Sequence, residues 1–92
     1  MLIYIYVVTA PPASDKVVER RFTIEMAGID PVTQTFGPGD TALGQVAAPE
    51  GAEVTLTLVD VDDAGDASEP LVRSFVAATS AEPGDYFISL GH

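Results

Sequence analysis

The stretch Val54-Thr55-Leu56-Thr57-Leu58-Val59-Asp60-Val61-Asp62-Asp63-Ala64-Gly65-Asp66, continued by Leu71-Val72-Arg73-Ser74-Phe75-Val76, decides the fold. Val54, Leu56, Leu58 and Asp60 alternate with Thr55, Thr57, Val59 and Val61, a period-two pattern rich in β-branched residues. An acidic glycine turn follows, and then a second apolar run. This order is a β-hairpin signature. It predicts that Val54, Leu56, Leu58 and Phe75 are buried.

Upstream, Met1-Leu2-Ile3-Tyr4-Ile5-Tyr6-Val7-Val8 is the longest apolar run, closed by Pro11-Pro12, whose rings remove ladder donors. It is far shorter than the roughly 20 residues that span a bilayer and lacks a basic leader, so it reads as a strand and not as a signal peptide. A second strand is expected from about Val17 to Met26, with Val18, Phe22, Ile24 and Met26 on one face. Arg20 interrupts that face and suggests a later start. Val32–Phe36 reads as a short strand before the Gly37-Pro38-Gly39-Asp40 turn. Thr41 to Ala47 is a weaker strand, and Pro49-Glu50-Gly51 a turn. After Val76, Ala81-Glu82-Pro83-Gly84-Asp85 reads as a turn and Tyr86–Leu90 as a final strand. Short strands, with no ten-residue segment of helical period, predict an all-β, antiparallel seven-stranded β-sandwich. Residues 1–92 form one domain, with residues 1–8 and 86–90 as strand-forming terminal arms.

The run from Gly51 through Ala64-Gly65-Asp66 to Ser68-Glu69-Pro70 resembles the last two strands of fibronectin type III-like and Ig-like domains, where a long strand leads through an Asp/Gly turn to Ser-x-Pro. The resemblance covers about a quarter of the chain. Val54 stands where such domains usually carry Tyr, and the chain has no Trp for the early core position. The resemblance implies a sandwich used for binding or scaffolding.

Fourteen acidic against four basic residues give a net charge of −10. Such a surface repels phosphates and anionic lipid, which argues against nucleic-acid and membrane partners. There is no cysteine, which removes disulfides, thiolate metal sites and a cysteine nucleophile. The single histidine, His92, is the last residue of the sequence, so neither Ser-His-Asp nor Cys-His arrangements can be assembled. No catalytic, cofactor-binding or metal residue is assigned, no cofactor is expected, and the chain reads as a non-enzyme.

The acidic turn is the one candidate cation site. Gly65 is the sixth position of a loop begun at Asp60, as in a calcium-binding EF-hand. The fifth position is Ala64 and the twelfth Leu71, however, so the closing carboxylate is missing. A solvated turn whose aspartates cap backbone groups is the simpler reading, with weak cation binding as the alternative. Gly37-Pro38-Gly39-Asp40 lacks the Lys and Ser/Thr of a phosphate loop and reads as a turn.

The chain ends are more suggestive. Residues 1–8 are apolar on both faces, where a sandwich strand buries one. Tyr4 and Tyr6 share a face, either as a partner- or sugar-binding strip or as core residues with a bonded hydroxyl. Leu2, Tyr4, Tyr6, Tyr86 and Ile88 are therefore the expected partner interface. Their occupant would be a copy of the chain or a larger scaffold or capsid protein, unless the terminal strands pair with each other. The expected role is a structural assembly module, such as a decoration or accessory subunit of a phage virion. The alternative is a carbohydrate- or protein-binding module of a surface or secreted protein, with a cytoplasmic or extracellular location in place of the virion.

Overall fold

The computed structural model of the protein describes residues 2–12, 14–77 and 86–90, the last five as backbone alone. The fold is all-β, with no helix among the described residues. Strands β1 (Leu2–Thr9), β2 (Val17–Met26), β3 (Val32–Phe36), β4 (Ala42–Pro49), β5 (Glu53–Asp62) and β6 (Leu71–Val76) are followed by the backbone segment β7 (Tyr86–Leu90). They form two sheets, ordered β4-β1-β7 and β3-β2-β5-β6. The turn expected at residues 81–85, and His92, lie outside the described residues.

The predicted hairpin is present: β5 pairs antiparallel with β6 from Glu53↔Val76 to Leu58↔Leu71. Its inward row, Val54, Leu56 and Leu58, is at most 1% exposed. Phe22 and Ile24 of β2 join this row from one sheet, and Ile3, Ile5, Val7, Leu43, Val46 and Ala48 from the other. One core therefore joins the two sheets, because each presents an apolar row that water would otherwise cover. Phe75 is only half-buried. It sits on the edge strand β6 and packs at the margin of the core, as Met26 and Phe36 do.

Two bulges change the phases read from the sequence. On β2 the register slips between Val17 and Glu19, so Val17 turns inward and Val18 is 54% exposed, the reverse of the expected side. β2 nevertheless starts at Val17. Arg20 does not interrupt the buried face but occupies it, 1% exposed. On β4 the extra residue is Leu43, between the pairs Val7↔Gly44 and Val8↔Ala42. Gly44 has φ +96°, a left-handed conformation that side chains disfavour, and the kink lets both Leu43 and Val46 face the core. β4 runs on to Pro49, beyond the expected Ala47.

The ends of the chain meet within one molecule. β1 pairs antiparallel with β4 on one side and parallel with β7 on the other, from Ile5↔Tyr86 to Thr9↔Leu90. A purely antiparallel arrangement was expected. Parallel neighbours need a long connection, and all the chain between β1 and β7 supplies it. β1 is thus a central strand, and the terminal strands pair with each other within one molecule.

Candidate functional site

Three places were singled out by the sequence or stand out in the structure: the acidic hairpin, a buried arginine, and the outer face of β1.

In the acidic hairpin the Asp62 carboxylate caps the backbone. Oδ1 of Asp62 accepts hydrogen bonds from the Ala64 N–H at 3.0 Å and the Asp66 N–H at 2.9 Å. The Asp66 carbonyl accepts from the Asp62 N–H and the Asp62 carbonyl from the Gly65 N–H, each at 3.0 Å. Gly65 takes the left-handed φ of +86° that this tight reversal requires. Ser68 locks the hairpin base: its N–H donates to the Asp60 carbonyl, and its Oγ accepts from the Asp60 N–H at 2.9 Å. A hollow of about 150 Å³ lies here among Ser14, Val17, Asp60, Asp62, Asp66, Ala67 and Ser68. Asp60 and Asp62 are already committed to protein donors, so this geometry is that of a self-capped turn. Among the described residues no group of three or more metal-ligating side chains converges.

Asp60 answers a second partner. Arg20 Nε donates to Asp60 Oδ1 at 2.8 Å and Nη2 to Oδ2 at 3.3 Å, a bidentate pair between residues in register on β2 and β5. The remaining guanidinium donors reach the Asp40 carbonyl at 2.7 Å and the Ala10 carbonyl at 3.0 Å. One buried cation therefore ties β5 to the loops before β2 and before β4. Sequence reasoning missed it. The available signal was that Arg20 and Asp60 both sit at inward phases of neighbouring strands.

The outer face of the β4-β1-β7 sheet carries the expected interface residues of β1. Leu2 is 53% and Tyr4 41% exposed, and Tyr6 and Val8 are half-buried on the same side. Neither tyrosine packs into the core. Beside them on β4, in register, stand Pro49 with Leu2, Ala47 with Tyr4, Gln45 with Tyr6 and Ala42 with Val8, all four exposed. β1 thus presents a row of large side chains, and β4 beside it a mixed row in which Ala42 and Ala47 flank the polar Gln45. Tyr86 and Ile88 are placed at register positions on β7 opposite Ile5 and Val7, and their side chains lie outside the described residues.

Charge is divided unevenly between the sheets. β1, β4 and β7 contain no acidic or basic residue, whereas the other sheet carries Glu19, Arg20, Arg21, Glu25, Glu53, Asp60, Asp62 and Arg73. On a chain of net charge −10 this leaves one sheet free of charge. A second hollow, of about 320 Å³, opens at the Met26 end between Glu25, Met26, Ile29, Pro31, Glu53 and Thr55. It places the Glu25 and Glu53 carboxylates beside apolar walls, with the Thr55 hydroxyl hydrogen-bonded to the Ser74 hydroxyl at 3.0 Å.

No family model, curated protein or solved structure matches the chain.

Proposed function

We propose that the protein is a non-enzymatic structural module that works by assembly, with the outer face of the β4-β1-β7 sheet as its contact surface. The observation that supports this reading is the segregation of charge: an apolar, charge-free face on a strongly acidic body marks a protein contact, since water solvates the rest of the surface far better. The division into sheets of three and four strands, together with the Ser68-Glu69-Pro70 segment after the acidic turn, favours a seven-stranded, fibronectin type III-like sandwich. A small acidic sandwich with one sticky face suits a decoration or accessory subunit of a phage virion. Neither a cofactor nor a nucleic-acid or membrane partner enters this reading.

The test is incorporation. The native mass of the particle that contains the protein is measured with wild type, Tyr4→Asp and Thr33→Asp. Loss of the subunit with Tyr4→Asp alone supports the assembly role, and full incorporation of Tyr4→Asp contradicts it. Deleting β1 is not a usable variant, because Ile3, Ile5 and Val7 belong to the core.

A further inference from the structure

We infer that the hollow at the Met26 end of the four-stranded sheet is a socket for an arginine side chain of a basic protein partner, a contact on the other sheet from β1 and independent of that face. The hollow combines two kinds of wall. Met26, Ile29 and Pro31 supply apolar surface, with Ile29 53% exposed, and Glu25 and Glu53 supply carboxylates. Register fixes the spacing of the two acids. Glu25 pairs with Thr55 across β2 and β5, and Glu53 precedes Thr55 by two residues on the same face, a diagonal relation of roughly 7 to 8 Å.

Charge complementarity names the occupant. Among the described residues neither carboxylate has a hydrogen bond or an ion pair, and none of the chain's four bases stands beside them. Lys16 precedes β2 at the opposite end of the sheet, Arg20 is bonded to Asp60, and Arg21 is bonded to Glu19. Arg73 lies in register with the core-facing Leu56, whereas Glu53 and Thr55 alternate to the outer side. Asp30 and Glu50, in the turns at this end, add charge of the same sign. A local excess of negative charge steers cations toward it. No third metal-ligating side chain joins the two glutamates among the described residues, and the apolar walls favour a cation that carries its own hydrocarbon. Arginine fits both halves. Its stem lies along apolar surface, and its planar, weakly hydrated guanidinium has five donors to share between two separated carboxylates, which a point-charge ammonium does not bridge. At about 320 Å³ the hollow stands at the lower end of ligand pockets and suits a single side chain.

Nuclear magnetic resonance titration of the full chain with an acetyl-glycyl-arginyl-glycine amide peptide, and with its neutral citrulline counterpart, tests this. The arginine peptide is expected to shift the amides of Glu25, Ala27, Ile29 and Thr55, and the citrulline peptide to leave them in place. Glu25→Gln/Glu53→Gln should weaken binding about five-fold, within the range of two exposed charge pairs. Asp63→Asn/Asp66→Asn removes the same charge from the opposite end and should leave the affinity within about two-fold, because salt screens charges at that separation. The signal dispersion of each variant reports that it is folded. Shifts spread evenly over the acidic surface, equal weakening by the two double variants, or no shift up to about 10 millimolar peptide overturn the socket. A lysine peptide that binds as tightly overturns the choice of arginine.

Discussion

Arg20 and Asp60 stand directly opposite each other on β2 and β5, and their side chains form a bidentate ion pair on the inward side of that sheet. The guanidinium is 1% exposed and spends its other donors on the carbonyls of Ala10 and Asp40. A buried arginine of this kind fixes geometry more than it adds stability, because its desolvation offsets much of the attraction. Its effect here is to hold two loops against the sheet that carries it.

Arg20→Met is expected to cost about 3 to 5 kcal/mol, since it strands the Asp60 carboxylate and two carbonyls. The double variant Arg20→Met/Asp60→Leu should recover only part of that loss. Removing both charges ends the electrostatic conflict, but the Ala10 and Asp40 carbonyls still lack the donor. Urea denaturation of the three proteins measures this. A double variant as stable as wild type would show that the carbonyl bonds contribute nothing.

Leu56→Ala should destabilise the fold by about 2 to 5 kcal/mol, as for other large-to-small changes in a packed core. Val18→Ala should fall within about 0.5 kcal/mol, because the bulge turns that residue to solvent. Thermal unfolding of the pair reads out the phase of β2. Equal losses would mean that Val18 faces the core after all.

The acidic hairpin should behave as a self-capped turn. Asp62→Ala is expected to cost about 1 kcal/mol for its two backbone bonds, and Gly65→Ala about 1 to 2 kcal/mol for the left-handed φ. Calorimetric titration with calcium should show no binding at or below about 10 micromolar, the range of sensor sites. Tighter binding would displace the turn-only reading.

How far the sequence could be read depends on distance along the chain. The β5–β6 hairpin was legible because alternation and turn chemistry are local, and the two-sided apolar character of β1 was legible for the same reason. The bulges at Val17–Glu19 and at Leu43 were not, since one extra residue leaves no mark in composition yet reverses the side of every residue before it. Nor was the placement of β1 between β4 and β7. That pairing joins segments far apart in the chain, and no local pattern states which edge meets which. On the outer face of this sheet, the Leu2, Tyr4 and Tyr6 strip is legible in the sequence, but the exposed Ala42, Gln45 and Ala47 beside it are not, because a weakly patterned strand shows no period until a neighbour gives it one.

Protein contact at the outer face of β1 is tested most directly by placing a photo-crosslinking benzoylphenylalanine at Tyr4, and separately at Val72, in the protein within its native particle or at high concentration. The expected result is a covalent protein adduct from position 4 and little or none from position 72, with the adduct's mass identifying a second copy or another subunit. Irradiation that leaves the Tyr4 derivative uncrosslinked, while the Val72 derivative captures protein, would contradict an assembly surface on the charge-free sheet.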